Sequence, residues 1–264
     1  MLSAMEHFGD ISVELGDDHV ATVQNNRGPN NFFSLRMLFD LKLAFAHAVD
    51  QGARAILFVA EGKNFCAGAD FSPDGSRNQA DDPDLKGRHI YDEAVDLFSC
   101  PIPIVAAVQG AAVGGGLGLA CMADLRVGGP STRMTANFAR LGFHQGFGLS
   151  VTLPNIVGQQ MAMELLYTGR RIKGDVAAQI GLLDRYVEED QIRATAHELA
   201  AEIAASAPLA VRSIKNTLRG HLPREIRQIT DHELVEQNKL QQTQDWKEGV
   251  KAMAERRTPN FTAS

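Results

Sequence analysis

The chain is poor in cysteine, carries no excess of basic charge and has no long apolar run, and each shortage removes a class of function. Its three cysteines in 264 residues, Cys66, Cys100 and Cys121, are an odd number without CxxC spacing, which points to neither a disulfide framework nor a cysteine zinc site. A reducing cytoplasm is the expected compartment. The eight histidines include no HxxxH pair, so no metal centre is expected. Lys and Arg number 26 against 32 Asp and Glu, a net charge of -6, which is the wrong balance for a nucleic-acid binder that must neutralise a row of phosphates. No apolar stretch approaches the roughly 20 residues of a membrane helix, and no basic segment followed by an apolar one opens the chain. No membrane association is expected. What remains, 44% hydrophobic and 22% charged residues, suits a globular chain with a full-sized core.

Periodicity supplies the elements. Ile11 to Leu15 and Val20 to Gln24 alternate apolar and polar residues around Gly16, Asp17 and Asp18, the pattern of a β-hairpin. Ser34 is placed to cap a helix whose Leu38, Leu41, Phe45 and Ala48 recur at helical spacing until Gly52. Arg54 to Ala60 reads as a buried strand. A Gly, Asp and Pro-rich stretch from Phe71 to Pro83 predicts a loop flanking a binding site. Ile102 to Val108 is a further strand, running through Gly110 and the triple glycine 114–116 into the small-residue helix Leu117 to Ala123, and Asp124 to Gly128 returns to strand. From about Gln159 the pattern is helical, with Pro208 and Pro223 at first turns. Asp245 and Glu248 have the spacing of a capping box for a last helix ending at Arg256 and Arg257. The apolar surface of such a helical tail predicts self-association.

Two glycine-containing segments follow strands: FCAGADF at 65–71 and GAAVGGGLGL at 110–119. Glycines that open a helix leave backbone N–H groups without partners and aimed at one point, which suits an oxygen gaining negative charge. A tight strand-to-helix turn with no ligand explains the same spacing equally well. Gly114, Gly116 and Gly118 do not spell GxGxxG, and Asp124 follows too closely to be a ribose-binding acid. No GK[ST] follows for a P-loop, and Ser150 in GLSVT is not a nucleophile elbow.

FCAGAD, GAAVGGGLGLA with CMADLRV, TGRRI near Thr168, IGLLD near Ile180 and the closing EGVKAMAERRTPNF together resemble the crotonase family, also called the enoyl-CoA hydratase/isomerase superfamily, from near Ile11 to Phe261. The resemblance implies an α/β fold: a crotonase-type spiral of repeated ββα units over residues 1–200, carrying the CoA and oxyanion site, and a C-terminal helical region over 201–264 that forms trimers, often stacked as hexamers. It implies an acyl-CoA thioester as substrate, with no separate cofactor. The backbone N–H groups of Ala69 and Gly115 are the implied oxyanion donors. Pantetheine would pass Ala67 and Gly68, with Asp70 and Gly114 beside it and the adenine near 25–28. Arg256, reaching from a neighbouring subunit, and Arg27 are the implied contacts to CoA phosphate.

One departure bears on the chemistry. Typical hydratases of the family activate water with two glutamates, and the matching positions here are Gly118 and Phe138. Neither can transfer a proton. His144, in LGFHQGFG, is the expected replacement, its ordinary pKa lying near 6.5; His89 and Tyr91 are further residues that could border the acyl pocket. With Phe143 and Phe147, Phe138 would make the acyl end apolar and suited to a hydrophobic or cyclic group. The family resemblance makes hydration or double-bond isomerisation the default expectation; the absence of both glutamates counts against hydration and keeps retro-Claisen cleavage and decarboxylation as alternatives within the family, and a non-catalytic acyl-CoA binder is the alternative outside catalysis.

Overall fold

In the computed structural model, residues 5–69 and 85–264 are described; Asp70 and the loop expected at Phe71 to Pro83 lie outside the described residues. Glu6–Phe8 (β1), Ile11–Leu15 (β2) and Val20–Asn25 (β3) form an antiparallel meander, with Val13 opposite Val23. This is the hairpin the alternation predicts. Ser34 caps Leu35–Asp50 (α1), its hydroxyl accepting the Met37 amide at 3.1 Å, and Leu38, Leu41, Phe45 and Ala48 form the buried face.

Ala55–Ala60 (β4) is buried at every residue and pairs in parallel with β3. Its alternate residues serve two cores, which is why a strand covered on both faces reads as an unbroken apolar run. Ile56 and Phe58 face the core with α1, whereas Leu57 and Val59 face a second cluster with Val20, Val105, Val127, Ile192 and Ala196. The chain continues through Ile90–Phe98 (α2), Ile104–Val108 (β5), Ala111–Val113 (β6), Gly115–Met122 (α3), Leu125–Gly128 (β7), Arg133–Thr135 (β8), Leu149–Val157 (α4), Gln159–Thr168 (α5), Ile172–Lys173 (β9), Gly174–Gln179 (α6) and Arg185–Tyr186 (β10). Ile192–Ala204 (α7), Pro208–Arg219 (α8), Leu222–Leu240 (α9) and Gln244–Ala254 (α10) close it.

Among the described residues one sheet has the order β1-β2-β3-β4-β5-β7-β10 and a second the order β6-β8-β9. The steps from β3 through β4 and β5 to β7 are all parallel, as expected of a spiral that adds one turn at a time. β6 leaves the large sheet immediately after β5 and pairs with β8. That departure carries the triple glycine to the site.

Two sequence expectations need correction. The region after Gln159 is not purely helical, because β9 and β10 contribute two residues each, too few to show a period. The last helix is capped by Thr243, whose hydroxyl accepts the Trp246 amide at 3.1 Å, and not by Asp245. Asp245 instead accepts the amides of Thr262 at 2.7 Å and Ala263 at 3.0 Å, and Glu248 pairs with Arg257, so both acids hold the C-terminal tail on α10.

Asp124 ties the end of α3 to α8. It accepts the Ile104 amide at 2.7 Å and the Lys215 ammonium at 2.8 Å. No residue of α8 is buried, and Leu209, Ile214 and Leu218 lie 79%, 59% and 66% exposed on it. No helix among the described residues is long and apolar enough to cross a membrane.

Candidate active site

Two segments far apart in sequence run side by side. Cys66 bridges Ala112 in parallel, its amide donating to the Ala111 carbonyl at 2.9 Å and its carbonyl accepting the Val113 amide at 3.0 Å. Carried forward in the same register, Ala69 falls beside Gly115. Small residues permit the approach: a β-carbon on Gly68, whose φ is +95°, would lie 2.9 Å from the Val113 carbonyl oxygen, and one on Gly116 would overlap the Cys66 carbonyl.

The amides on either side of the two candidate donors are engaged. Ala67 donates to the Asn30 carbonyl at 2.9 Å and Gly114 to the Thr135 carbonyl at 2.8 Å. Phe33 donates to the Gly68 carbonyl at 3.1 Å, which fixes the strand edge at that point. Gly115 opens α3, so its N–H has no carbonyl one turn earlier; the helical ladder starts with Leu117 and Gly118, both on the Gly114 carbonyl. Among the described residues the N–H groups of Ala69 and Gly115 donate to nothing.

Both residues line one cavity of about 450 Å³, with Ala67, Gly68, Gly114 and Phe138. Its walls are largely aromatic. Phe138 packs edge-on against Phe143, centroids 5.4 Å apart, and Phe143 against Trp246 at 4.6 Å; Phe33 meets Phe147 at 6.0 Å. Phe147, 1% exposed and at φ +62°, lies against Gly118. The turn that presents it is held from α9, where the buried Glu233 carboxylate accepts the Gly148 amide at 2.9 Å and the Ser150 hydroxyl at 2.6 Å. Burial raises the Glu233 pKa, and these hydrogen bonds oppose the rise.

No Asp, Glu, Lys or Arg occurs among the described residues of the lining; its polar side chains are His89, Tyr91, Asn137, Gln237, Asn238 and Gln241. His89 caps α2, its Nδ1 accepting the Tyr91 amide at 3.2 Å, so the neutral ring carries its proton on Nε2. Burial lowers the His89 pKa and Asp92 partly restores it. Burial likewise raises the Tyr91 pKa, leaving a phenol at any ordinary pH. His89 and Tyr91 thus border the cavity, a placement the sequence alone left undecided. Gln237 and its neighbours on α9 carry a signal that sequence reasoning missed: Leu234, Gln237, Asn238 and Gln241 recur at helical spacing and all face the site.

Other expected residues stand apart. His144 is not part of the lining; its Nδ1 lies 2.8 Å from the Gln145 carbonyl, and its ring meets His232 at 5.9 Å. Arg27 is also outside the lining, with its guanidinium 3.2 Å from the Ser34 hydroxyl and 3.5 Å from Asp10. Arg256 is exposed just beyond α10, outside the lining, and its side chain has no hydrogen-bond or ion-pair partner among the described residues. Cys66 is fully buried, and burial pushes its thiol up to about 11, which removes it as a nucleophile at neutral pH.

Comparison with known proteins agrees with this architecture. Residues 16–264 match the family described as enoyl-CoA hydratase/isomerase. A Mycobacterium tuberculosis protein described as a probable enoyl-CoA hydratase is 35% identical over 226 residues, 85% of this chain and 87% of that protein. The short-chain-enoyl-CoA hydratase of Clostridium acetobutylicum is 31% identical over 211 residues, 79% of this chain and 80% of the relative. The crystal structure of an enoyl-CoA hydratase/isomerase from Pseudoalteromonas atlantica covers 96% of this chain and 100% of its own, with a TM-score of 0.79 and 28% identity. With the spiral sheet and the small-residue cleft already in place, the chain belongs to the enoyl-CoA hydratase/isomerase family.

Proposed function

We propose that the protein binds an acyl-CoA thioester and stabilises negative charge on its carbonyl oxygen between the N–H groups of Ala69 and Gly115. The observation that carries this reading is that two residues whose amides have no partners among the described residues lie side by side in the wall of one cavity. Charge moves onto a thioester oxygen when an enolate forms, and donors fixed in advance stabilise it without reorganisation, each contributing about 100 to 1,000-fold in rate. Ala67, Gly68 and Gly114 would flank the pantetheine, with Asp70 beside them. Arg27 and Arg256 would meet CoA phosphates, Arg256 from a neighbouring subunit. Such local cations reconcile an anionic ligand with a chain of net charge -6.

Water activation by two carboxylates has no support at Gly118 and Phe138, the positions matched to the glutamates. The proton chemistry then falls to a neutral polar group of the lining or to the substrate itself, which favours isomerisation or decarboxylation over hydration; retro-Claisen cleavage, which consumes a water at a ketone carbon, is the alternative. His144 serves this chemistry only if its loop turns the ring inward. The aromatic walls suit a hydrophobic or cyclic acyl group. A binder without chemistry is the second reading, favoured by the absence of any acid in the described lining. The exposed apolar face of α8 supports self-association as a trimer or hexamer, and three free, buried cysteines agree with a reducing cytoplasm.

Incubation with a panel of acyl-CoA thioesters, followed by mass spectrometry and chromatography of the products, tests the reading. A new product of unchanged mass, loss of carbon dioxide, or carbon–carbon cleavage of a β-keto thioester with uptake of one water supports enolate chemistry, rapid addition of water across an enoyl double bond contradicts the loss of hydratase machinery, and binding without conversion selects the silent binder.

A further inference from the structure

We propose that Tyr91 and Gln237 form a second polar subsite in the cavity, one that recognises an oxygen carried on the acyl group through the Gln237 amide hydrogen left unused. The proposal rests on the acyl-CoA reading above and adds a substrate class to it. Both side chains line the cavity and are nearly sequestered, 8% and 7% exposed. Burial of a phenol and a primary amide in so aromatic a cleft costs free energy unless their hydrogen bonds are made.

The directions of those bonds are forced. The His144 carbonyl can only accept, so the Gln237 atom 3.0 Å from it is the amide nitrogen Nε2. Gln237 Oε1 then faces Tyr91, and the Tyr91 hydroxyl, 2.8 Å away, must donate to it. The backbone N–H of Phe147 also supports the Tyr91 oxygen. Counting donors and acceptors leaves a remainder. Nε2 has two hydrogens and uses one among the described residues, whereas the phenol gives its hydrogen to Gln237 and accepts from Phe147.

One unused donor on a residue that lines the cavity matches a ligand oxygen, hydroxyl or carbonyl, that accepts from Gln237, with Tyr91 fixing the amide in place. The pair is also rigid, since Tyr91 sits in the first turn of α2 and Gln237 on α9, and the Arg227 guanidinium on α9 bonds the Asp92 carboxylate of α2 at 2.6 Å. A site that reads an oxygen in this way discriminates against the analogue lacking it, because the analogue leaves buried polar groups unpaired.

Calorimetric titration of the full-length protein with hexanoyl-CoA and with its 3-, 4- and 6-hydroxy derivatives tests the subsite. At least one hydroxylated thioester is expected to bind about tenfold more tightly than hexanoyl-CoA, and both Tyr91→Phe and Gln237→Met are expected to remove that preference. Hexanoyl-CoA binding with no preference for any hydroxylated form, or a preference that survives in both variants, overturns the subsite alone. Failure of every thioester to bind overturns the acyl-CoA reading and the subsite with it.

Discussion

The ring of Phe147 occupies the space into which a side chain at Gly118 would project. A β-carbon at Gly118 would stand 2.6 Å from the Phe147 Cβ and 2.8 Å from its Cγ. The two positions are therefore one packing unit, and a side chain at Gly118 is excluded by volume. Gly118→Ala should destabilise the fold by about 1–3 kcal/mol through overpacking, and Phe147→Gly, which removes the clashing Cβ together with the ring, by about 3–5 kcal/mol through the cavity it leaves. The double variant should be more stable than the sum of the two predicts, as read from chemical denaturation of all four proteins. Strict additivity would show that the two residues do not share the space.

The Gly115 amide can be removed without breaking α3, because proline is tolerated at the first position of a helix. A β-carbon there overlaps the Phe33 ring, so the informative pair is Gly115→Pro and Gly115→Ala, each combined with Phe33→Ala. Steric cost is then shared, and the proline form alone lacks the donor. Turnover of the best thioester should be about 100 to 1,000-fold lower in the proline form; equal rates in both would remove Gly115 from charge stabilisation.

His89 should titrate below the ordinary histidine value of 6.5, chiefly because of burial. In the window between its lowered folded value and 6.5 the unfolded chain binds more protons than the native one, so this residue makes stability rise with pH there and contributes no slope above or below it. Asp92→Asn should lower the folded value further, since the carboxylate raises it. Proton NMR titration of the ring reads both effects, and a midpoint at or above 6.5 would contradict the burial.

Arg256→Ala should weaken affinity for CoA mainly at low ionic strength, and the difference from the parent protein should close as salt screens the exposed charge. Titrations across a salt series check it. Equal affinity at every salt concentration would place the arginine away from the phosphates.

Local pattern made much of this legible. Alternation around Gly16 to Asp18 and the Ser34 cap gave the first elements because each is decided within a few residues. The resemblance carried by FCAGAD and GAAVGGGLGLA brought Ala69 and Gly115 forward as a pair, and the parallel bridge at Cys66 and Ala112 sets them side by side. The polar lining was less accessible. Tyr91 and Gln237 meet across 146 residues, and whether either faces the cleft depends on how α9 settles over α2. His144 illustrates the opposite case: its loop borders the site, but a one-residue contact with the Gln145 carbonyl holds the ring elsewhere.

A crystal structure with an unreactive acyl-CoA analogue bound would measure the central geometry directly. The thioester oxygen should lie about 2.7–3.1 Å from both the Ala69 and Gly115 nitrogens. An acyl-CoA seated with that oxygen turned away from either nitrogen would contradict the proposed chemistry.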